Sequence, residues 1–438
     1  MRVGIVGGGL MGLALAHYLA RAGTEVEILE KEGEVGGLAR SSRLLPDLRW
    51  DRYYHVILST DSELLAFLEE LGLSPEVAFR ETRTGFFSDG RLHSLSTTME
   101  FLRFKPLSLW HKLRLAAGIL YAARLRNWSR LERLYARGWL TRVFGRRIYE
   151  KLWDPLLRSK LGEARQEAAA SFIWATIRRY YGTRHKAAKR ELMGCVRGGY
   201  HSVLASLQEE LGRRGVSIRL GQQAQRVESL PGGGLRVRCS GGSWDYDRLV
   251  LTVPNPVALG LCPGLDGDYA ERLASVRYLG LVCVTLVLKR RLCPFYVTNL
   301  TDPGFPFTGV IEAANVVPEE ILGGRGLVYL PRYTAPGDPL AQKDDEEILD
   351  SFLRGLARIF PGLAPQDILA RAVNRERHVQ PLQDQGYSSR LPSFDTPLAG
   401  LHLVNTTMIR NSTLNNNRVV ELARTMAEHL LNGKKEES

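Results

Sequence analysis

Near its start the chain reads "RVGIVGGGLMGLALAHYLARAGTEVEILEKEGEVGGLAR". Gly7, Gly9 and Gly12 stand as G-x-G-x-x-G, and Glu30 follows Gly12 by eighteen residues. These residue types at this spacing suit the capture of a dinucleotide. Gly7 permits a tight turn, Gly9 lets backbone approach a pyrophosphate, and Gly12 lets a helix pack closely on a strand. Leu10 and Met11 open that helix, whose N-terminal N–H groups and dipole favour an anion. Glu30, followed by Lys31, is placed to accept hydrogen bonds from a ribose diol, which argues against a 2′-phosphate ligand.

Other chemistries leave little trace. The five cysteines, at 195, 239, 262, 283 and 293, form no C-x-x-C pair and read as buried reduced thiols. No cluster has metal-ligand spacing, so no metal is expected. No G-x-S-x-G and no Cys/His nucleophile pattern stands out. A second G-x-G-x-x-G is absent, so a separate NAD(P)H domain is not expected.

The glycines need elements to hold them. Val3 to Val6 reads as a short buried strand, Leu10 to about Ala22 as a helix ended by Gly23, and Val26 to Leu29 as a second strand. A second glycine pair, Gly36 and Gly37, follows with Leu38, Ala39 and Arg40. This arrangement resembles the flavoproteins with two dinucleotide-binding domains, in which this loop passes over the FAD pyrophosphate. Further along, "DRYYHVILSTDSELLAFLEELGL", "TGFFSDGRLHSLST", "VRGGYHSVLASLQEEL" and "DPGFPFTGVIEAANVVP" resemble the protoporphyrinogen oxidase-like branch of the flavin amine oxidase superfamily. That branch is similar to phytoene desaturases and, more distantly, to UDP-galactopyranose mutases. The likeness covers nearly the whole chain.

The resemblance implies an α/β fold. A Rossmann-like FAD-binding domain would be interwoven with a mixed-sheet substrate domain and carry an inserted helical lid. It implies FAD as cofactor, with Ala224 and Val227 on the strand passing the adenine. Thr252 and Pro254 would lie near the cofactor in "LTVP", and Asn405 and Asn417 in the last strand–loop–helix would contact it. Two departures stand out: Asn415, Asn416 and Asn417 replace a Gly-Thr-Asn run, and Thr413 and Leu414 replace an acid and an arginine. Tyr54 and His55 match a tyrosine-histidine pair near the flavin of the relatives, and Val56 stands where many carry a second histidine. His55 is thus a candidate proton carrier or positioning donor. No lysine matches the flavin-facing lysine of true amine oxidases.

Substrate contacts are expected from Glu312 and Asn315, from Tyr329, Arg332 and Tyr333, and from His378, Gln380, Tyr387 and Arg390. Arginines with tyrosines suit an anionic or sugar-phosphate group as well as an apolar ring.

The chain has 438 residues and a net charge of +12. Between Phe101 and Lys160 stand fifteen Lys and Arg against three acids, so the whole excess belongs to that segment. The pattern there is helical, with Ser108 and Ser129 as candidate caps. Leu113, Ala116, Ala117 and Leu120 recur as one face, and Trp110, Trp128, Trp139 and Trp153 interleave with the bases. An interfacial helix on an anionic membrane fits, with aromatics at the head groups. A solvated basic lid with the tryptophans inside also fits, as does a phosphorylated substrate. Nucleic acid is not expected, because no binding module is present. No run approaches the roughly 18–20 apolar residues of a membrane span. "YLGLVCVTLVL", from Tyr278 to Leu288, reads as a buried strand. The first residues already read as a strand, so no signal peptide is expected. The expected location is cytoplasmic, peripheral on the membrane face.

The expected organisation puts FAD-binding pieces at 1–60, 192–255 and 396–432. The substrate domain takes 61–97 and 256–395, the lid 98–191, and a frayed tail 433–438. "DPLAQKDDEEILDSFLRGLARIFPG" reads as a capped surface helix within the substrate domain. The leading expectation is FAD-dependent dehydrogenation or desaturation of a hydrophobic or lipid-linked substrate. The second is a non-redox flavoenzyme resembling the mutases, with Arg332 and Arg390 clamping a diphosphate. The third is a scaffold with a vestigial flavin site. Nothing in the sequence marks an oligomeric state.

Overall fold

Val3, Ile5 and Val6 are apolar in near succession, so the strand Arg2–Val6 needs cover on both faces. In the computed structural model, which describes residues 1–184 and 191–436, it is the middle strand of a five-stranded sheet. Residues 185–190, at the end of the expected lid, and 437–438, in the expected tail, lie outside the described residues. The sheet runs Ser217–Arg219, Glu25–Leu29, Arg2–Val6, Arg248–Leu251, Leu401–Leu403, all parallel. Its strands come from three separated stretches of chain. The first helix, Leu10–Arg21, packs against the last, Asn416–Glu436. That last helix continues past residue 433, so the expected frayed tail is helical through Glu436.

The core around this sheet also takes in residues expected in the substrate domain. Leu64, Phe67 and Leu68 of the helix Ser62–Glu70 belong to it, as do Ala258, Leu261 and Leu273. The reason is apolar burial: Ser62–Glu70 lays one leucine-phenylalanine face against the last helix.

The second sheet has seven strands, in the order Ile368–Pro381, Tyr278–Leu288, Gly326–Thr334, Gly309–Glu312, Val297–Leu300, Thr84–Ser88, Arg91–Ser94. Only the pair Val297–Leu300 and Thr84–Ser88 is parallel. Tyr278–Leu288 is buried throughout, because both its faces are used. Val282, Val284, Leu286 and Leu288 join the core under the helix Asp345–Ile359, which Asp344 caps through Glu347 N. Leu281, Cys283 and Val287 face the other way, towards Trp50, Tyr53 and Leu58 in the segment after the second glycine pair, which includes the short strands Leu48–Asp51 and Ile57–Leu58. The period-2 alternation of one strand thus joins the substrate sheet to the nucleotide-binding part.

The inserted helices have a core of their own, built around Trp139, Phe144, Trp153 and Trp174. Thr97 and Glu100 form a reciprocal capping box on Thr98–Arg103. Asn127, not Ser129, caps Trp128–Glu132 by accepting from Arg130 N. On Leu109–Arg124 the buried positions are Lys112, Leu115, Gly118 and Ala122. The apolar face marked by Leu113, Ala117 and Leu120 therefore lies outside. Arg179, on Ala170–Arg184, ties the lid to the nucleotide-binding part through both oxygens of Asp61, each at 3.0 Å.

Candidate active site

The glycine turn and Glu30 form one hydrogen-bonded unit. Gly8 N donates to Glu30 Oε2 at 2.6 Å and Glu32 N donates to Oε1 at 2.9 Å. Glu30 is buried, and its remaining lone pairs stay available to a ribose diol. A Cβ on Gly12 would stand 2.0 Å from Gly7 O, so the helix can start this close to the strand only with glycine there. Gly36 N donates to Gly8 O at 2.8 Å, and a Cβ on Gly37 would meet Gly9 Cα at 3.2 Å. The two glycine loops thus meet backbone to backbone. Gly9 caps the first helix without any side-chain hydrogen bond, so no side chain occupies the first-turn N–H groups around Leu10 and Met11.

Thr252 Oγ1 fastens the turn, donating to Val6 O or Gly7 O at 3.0 and 3.1 Å. Pro254 begins the helix Asn255–Leu261 just beyond. Gln222 N bonds Glu30 O, and this brings the chain alongside Glu30 before Ala224–Ser229, where Val227 is buried. Arg40 Nε donates to Gly37 O at 3.2 Å and its guanidinium pairs with Glu32, while Ala39 is buried behind it. Leu38 packs under the second sheet, and Lys31 is exposed beside Glu32. A cradle in which Cβ atoms cannot be accommodated, next to a buried ribose acceptor, fits FAD.

The C-terminal asparagines divide their work. Asn405 Nδ2 donates to Val253 O and Asn255 Oδ1, and its Oδ1 accepts from Thr407 N and Oγ1. Its amide joins two loops beside the turn that Thr252 fastens. Asn417 Oδ1 accepts from Leu64 N at 3.0 Å, so it tethers the helix Ser62–Glu70 to the last helix. Asn415 is the cap, accepting from Arg418 N at 3.0 Å.

A small cleft of about 20 Å³, partly open to solvent, lies between residues 50–57, residues 195–200 and the second sheet. Trp50, Tyr54, Ile57, Tyr200, Tyr296 and Tyr329 give it aromatic and apolar walls. Asp51 and His55 bring the polar groups. Asp51 Oδ1 accepts from Tyr200 N at 2.9 Å, at the N-terminus of the helix Gly199–Arg213. A Cβ on Gly199 would come 2.8 Å from that oxygen, so glycine makes the cap possible. His55 Nδ1 is buried without a hydrogen-bond partner, 3.5 Å from Asp51 Oδ2, and its ring lies 4.8 Å from that of Tyr200. Tyr54 Oη and Tyr333 Oη are 3.2 Å apart, and burial pushes both hydroxyls above the ordinary tyrosine range. They remain neutral donors. Burial likewise pushes the Cys195 thiol in the wall up to about 12, so it is no thiolate nucleophile.

Of the expected substrate residues, Tyr329 alone lines this cleft, and its hydroxyl donates to Asp51 O at 2.7 Å. Glu312 is fully buried, and its carboxylate accepts from Leu292 N and Leu327 N. Asn315 Nδ2 donates to Cys293 O and Phe295 O. Both close loops of the sheet, and neither lines the cleft, which takes Ala313 from their segment. Tyr387 is buried with its hydroxyl on Thr407 O. Arg332 reaches Pro306 O and Asp338, and Arg390 pairs with Asp384. These two arginines have different partners on different elements, contrary to a shared diphosphate clamp. His378 packs on Tyr278, and Gln380 accepts from Leu414 N. Asp51 and Tyr200 were not singled out from sequence. Their signal lay in Asp51 standing four residues before His55, and in the Gly198–Gly199 pair opening a helix.

Residues 10–413 match the family model described as flavin containing amine oxidoreductase. The chain belongs to this family. It is an FAD-dependent oxidoreductase. Zeta-carotene desaturase of Synechocystis is 23% identical, over 92% of this chain and 91% of its own. Human protoporphyrinogen oxidase is 22% identical, over 72% of this chain and 73% of its own. Among solved structures, an oxidoreductase from Methanosarcina mazei superposes with a TM-score of 0.76 at 18% identity, covering 98% of this chain and all of the other.

Proposed function

We propose that this oxidoreductase dehydrogenates or desaturates a hydrophobic or lipid-linked substrate of the porphyrinogen or polyene kind. It takes that substrate up at an anionic membrane surface on the cytoplasmic side. The lining of the cleft carries the proposal: aromatic and aliphatic side chains predominate, and among the described residues no lysine or arginine lines it. Such walls suit an apolar conjugated molecule and leave a sugar diphosphate without a counter-charge. The desaturase and oxidase relatives, named for a carotene and a protoporphyrinogen, support the same substrate class.

Bound FAD supplies the two-electron acceptor. The chain's own part is to exclude water, orient the substrate and manage the proton. The aromatic walls serve the first two. His55 takes the proton released on dehydrogenation, and the Asp51 carboxylate beside Nδ1 stabilises the charged ring. Tyr54 and Tyr333 remain protonated donors over the working pH range.

The membrane part rests on the lid. Leu109, Trp110, Leu113, Leu120 and Tyr121 are all exposed along Leu109–Arg124, Trp110 to 71%. Met99 and Leu102 extend the strip, and Arg103, Lys105, Arg114 and Arg124 accompany it. Among the described residues no helix is long and apolar enough to cross a membrane. An apolar helical face with flanking cations suits the head-group region.

The test is anaerobic mixing of the purified flavoprotein with a porphyrinogen, a reduced carotenoid precursor or UDP-galactopyranose. Bleaching of the flavin band by one of the apolar compounds is the expected result. No bleaching by either, or sugar-nucleotide turnover that needs reductant without consuming it, overturns the proposal.

A further inference from the structure

The spacings of Asp395, His402 and His429 match no metal motif, but the fold brings them together. Phe394 to Leu403 is a small hairpin, closed by Leu403 N on Phe394 O and Thr396 N on Leu401 O. Asp395 faces His402 across an antiparallel bridge in it. His429 reaches the same point from the last helix, its ring 5.6 Å from Phe394. Asp395 Oδ1 lies 2.8 Å from His402 Nδ1 and 2.8 Å from His429 Nε2. The three atoms lie within 4.8 Å of one another.

We propose that this cluster binds a divalent transition-metal ion of the zinc class, with water completing the shell. Two imidazoles and a carboxylate are the donors that suit such an ion. A tetrahedral shell with ordinary zinc–ligand distances spaces its ligand atoms roughly 3.4 Å apart, so each nitrogen must draw back from Oδ1 by about 0.6 Å, while the two nitrogens already stand no more than 4.8 Å apart. One side is dry and the other wet: His402 is buried, while the side chains of Asp395 and His429 are 59% and 40% exposed. The wet side leaves room for water and a route of entry. On binding, the ring proton that faces Asp395 moves on each histidine to the other nitrogen. On His402 that nitrogen, Nε2, is buried and has no partner. The ion would cross-link the hairpin leading into the edge strand Leu401–Leu403 to the last helix, away from the cleft. Its role is to fasten the C-terminal segment of the nucleotide-binding part.

The test uses the flavin-loaded protein, first stripped with chelator. Zinc is followed by calorimetry and by its effect on Tm, and cobalt by its difference spectrum beyond the flavin band. One zinc per chain is expected, with a rise in Tm. His429→Ala and Asp395→Asn, both at exposed side chains, should each weaken binding about tenfold or more and abolish the Tm rise, with flavin content unchanged. Cobalt should show nitrogen–oxygen ligation. Absence of stoichiometric binding, equal binding by both variants, or a sulfur-to-cobalt charge-transfer band pointing to the cysteines would overturn the proposal.

Discussion

His55 and Asp51 show how little separates a structural group from a chemical one. Asp51 holds a helix N-terminus with one oxygen and stands near the imidazole with the other. Asp51→Asn keeps an acceptor for Tyr200 N but removes the charge. Its Tm should stay close to wild type while the rate of flavin reduction falls, as stopped-flow absorbance will show. His55→Gln should lower that rate about 10²–10⁴-fold with flavin content unchanged; an unaltered rate removes His55 from proton transfer. Glu312 makes a prediction about pH. Burial raises its carboxyl from 4.5 to about 7, opposed by the N–H groups of Leu292 and Leu327. The folded state therefore binds the proton more tightly than the unfolded state does. This favours folding below the unfolded value and is lost as pH rises through about 7. The unfolding free energy should fall between roughly pH 4.5 and 7, by up to about 3 kcal/mol, and Glu312→Gln should flatten that slope.

Elements act through the faces they bury. The first helix can lie on its strand only because Gly12 lacks a side chain, so Gly12→Val should displace the helix start. Overpacking of this kind costs about 1–3 kcal/mol, and purified protein should show a collapsed ratio of flavin to protein absorbance. The helix Leu109–Arg124 is the reverse case. Its small and polar residues, Gly118, Ala122 and Lys112, point inward, with Lys112 Nζ on Leu102 O at 2.6 Å. Leu115 joins them and Ile119 packs against the same core, but Leu109, Trp110, Leu113, Leu120 and Tyr121 point outward. Trp110→Glu with Leu113→Glu should leave Tm unchanged, because neither side chain is in the lid core. The same pair should abolish flotation with vesicles containing phosphatidylserine. Retained flotation would place the membrane contact elsewhere.

At the scale of the molecule, charge and connectivity matter most. The net +12 is concentrated in the lid segment, so vesicle binding should weaken steeply between 50 and 300 mM salt, as screening shortens to a Debye length under about 10 Å. Three chain pieces supply the nucleotide-binding sheet, and the second sheet interrupts them. FAD held by the two glycine loops and Glu30 would bind the folded chain alone, so loading it should raise Tm in proportion to the logarithm of its concentration.

The sequence by itself determined the nucleotide-binding half, because that chemistry is local. The turn, the helix start and Glu30 lie within thirty residues, and each glycine answers a steric need within that span. The strand Tyr278–Leu288 and the capped helix Asp345–Ile359 were legible for the same reason: an apolar run or a cap is written in consecutive residues. The tertiary structure decided what depends on distant partners. Glu312, Asn315 and Asn405 have the residue types of a binding site, but they are spent on backbone and side-chain groups far along the chain. Trp139 and Trp153 could serve a lid core or a membrane surface equally well, and packing placed them inside. A periodic apolar face on Leu109–Arg124 says that something covers it, but not which side the rest of the protein takes. Asp395, His402 and His429 meet only because a hairpin and the last helix converge, a proximity that spacing along the chain does not encode.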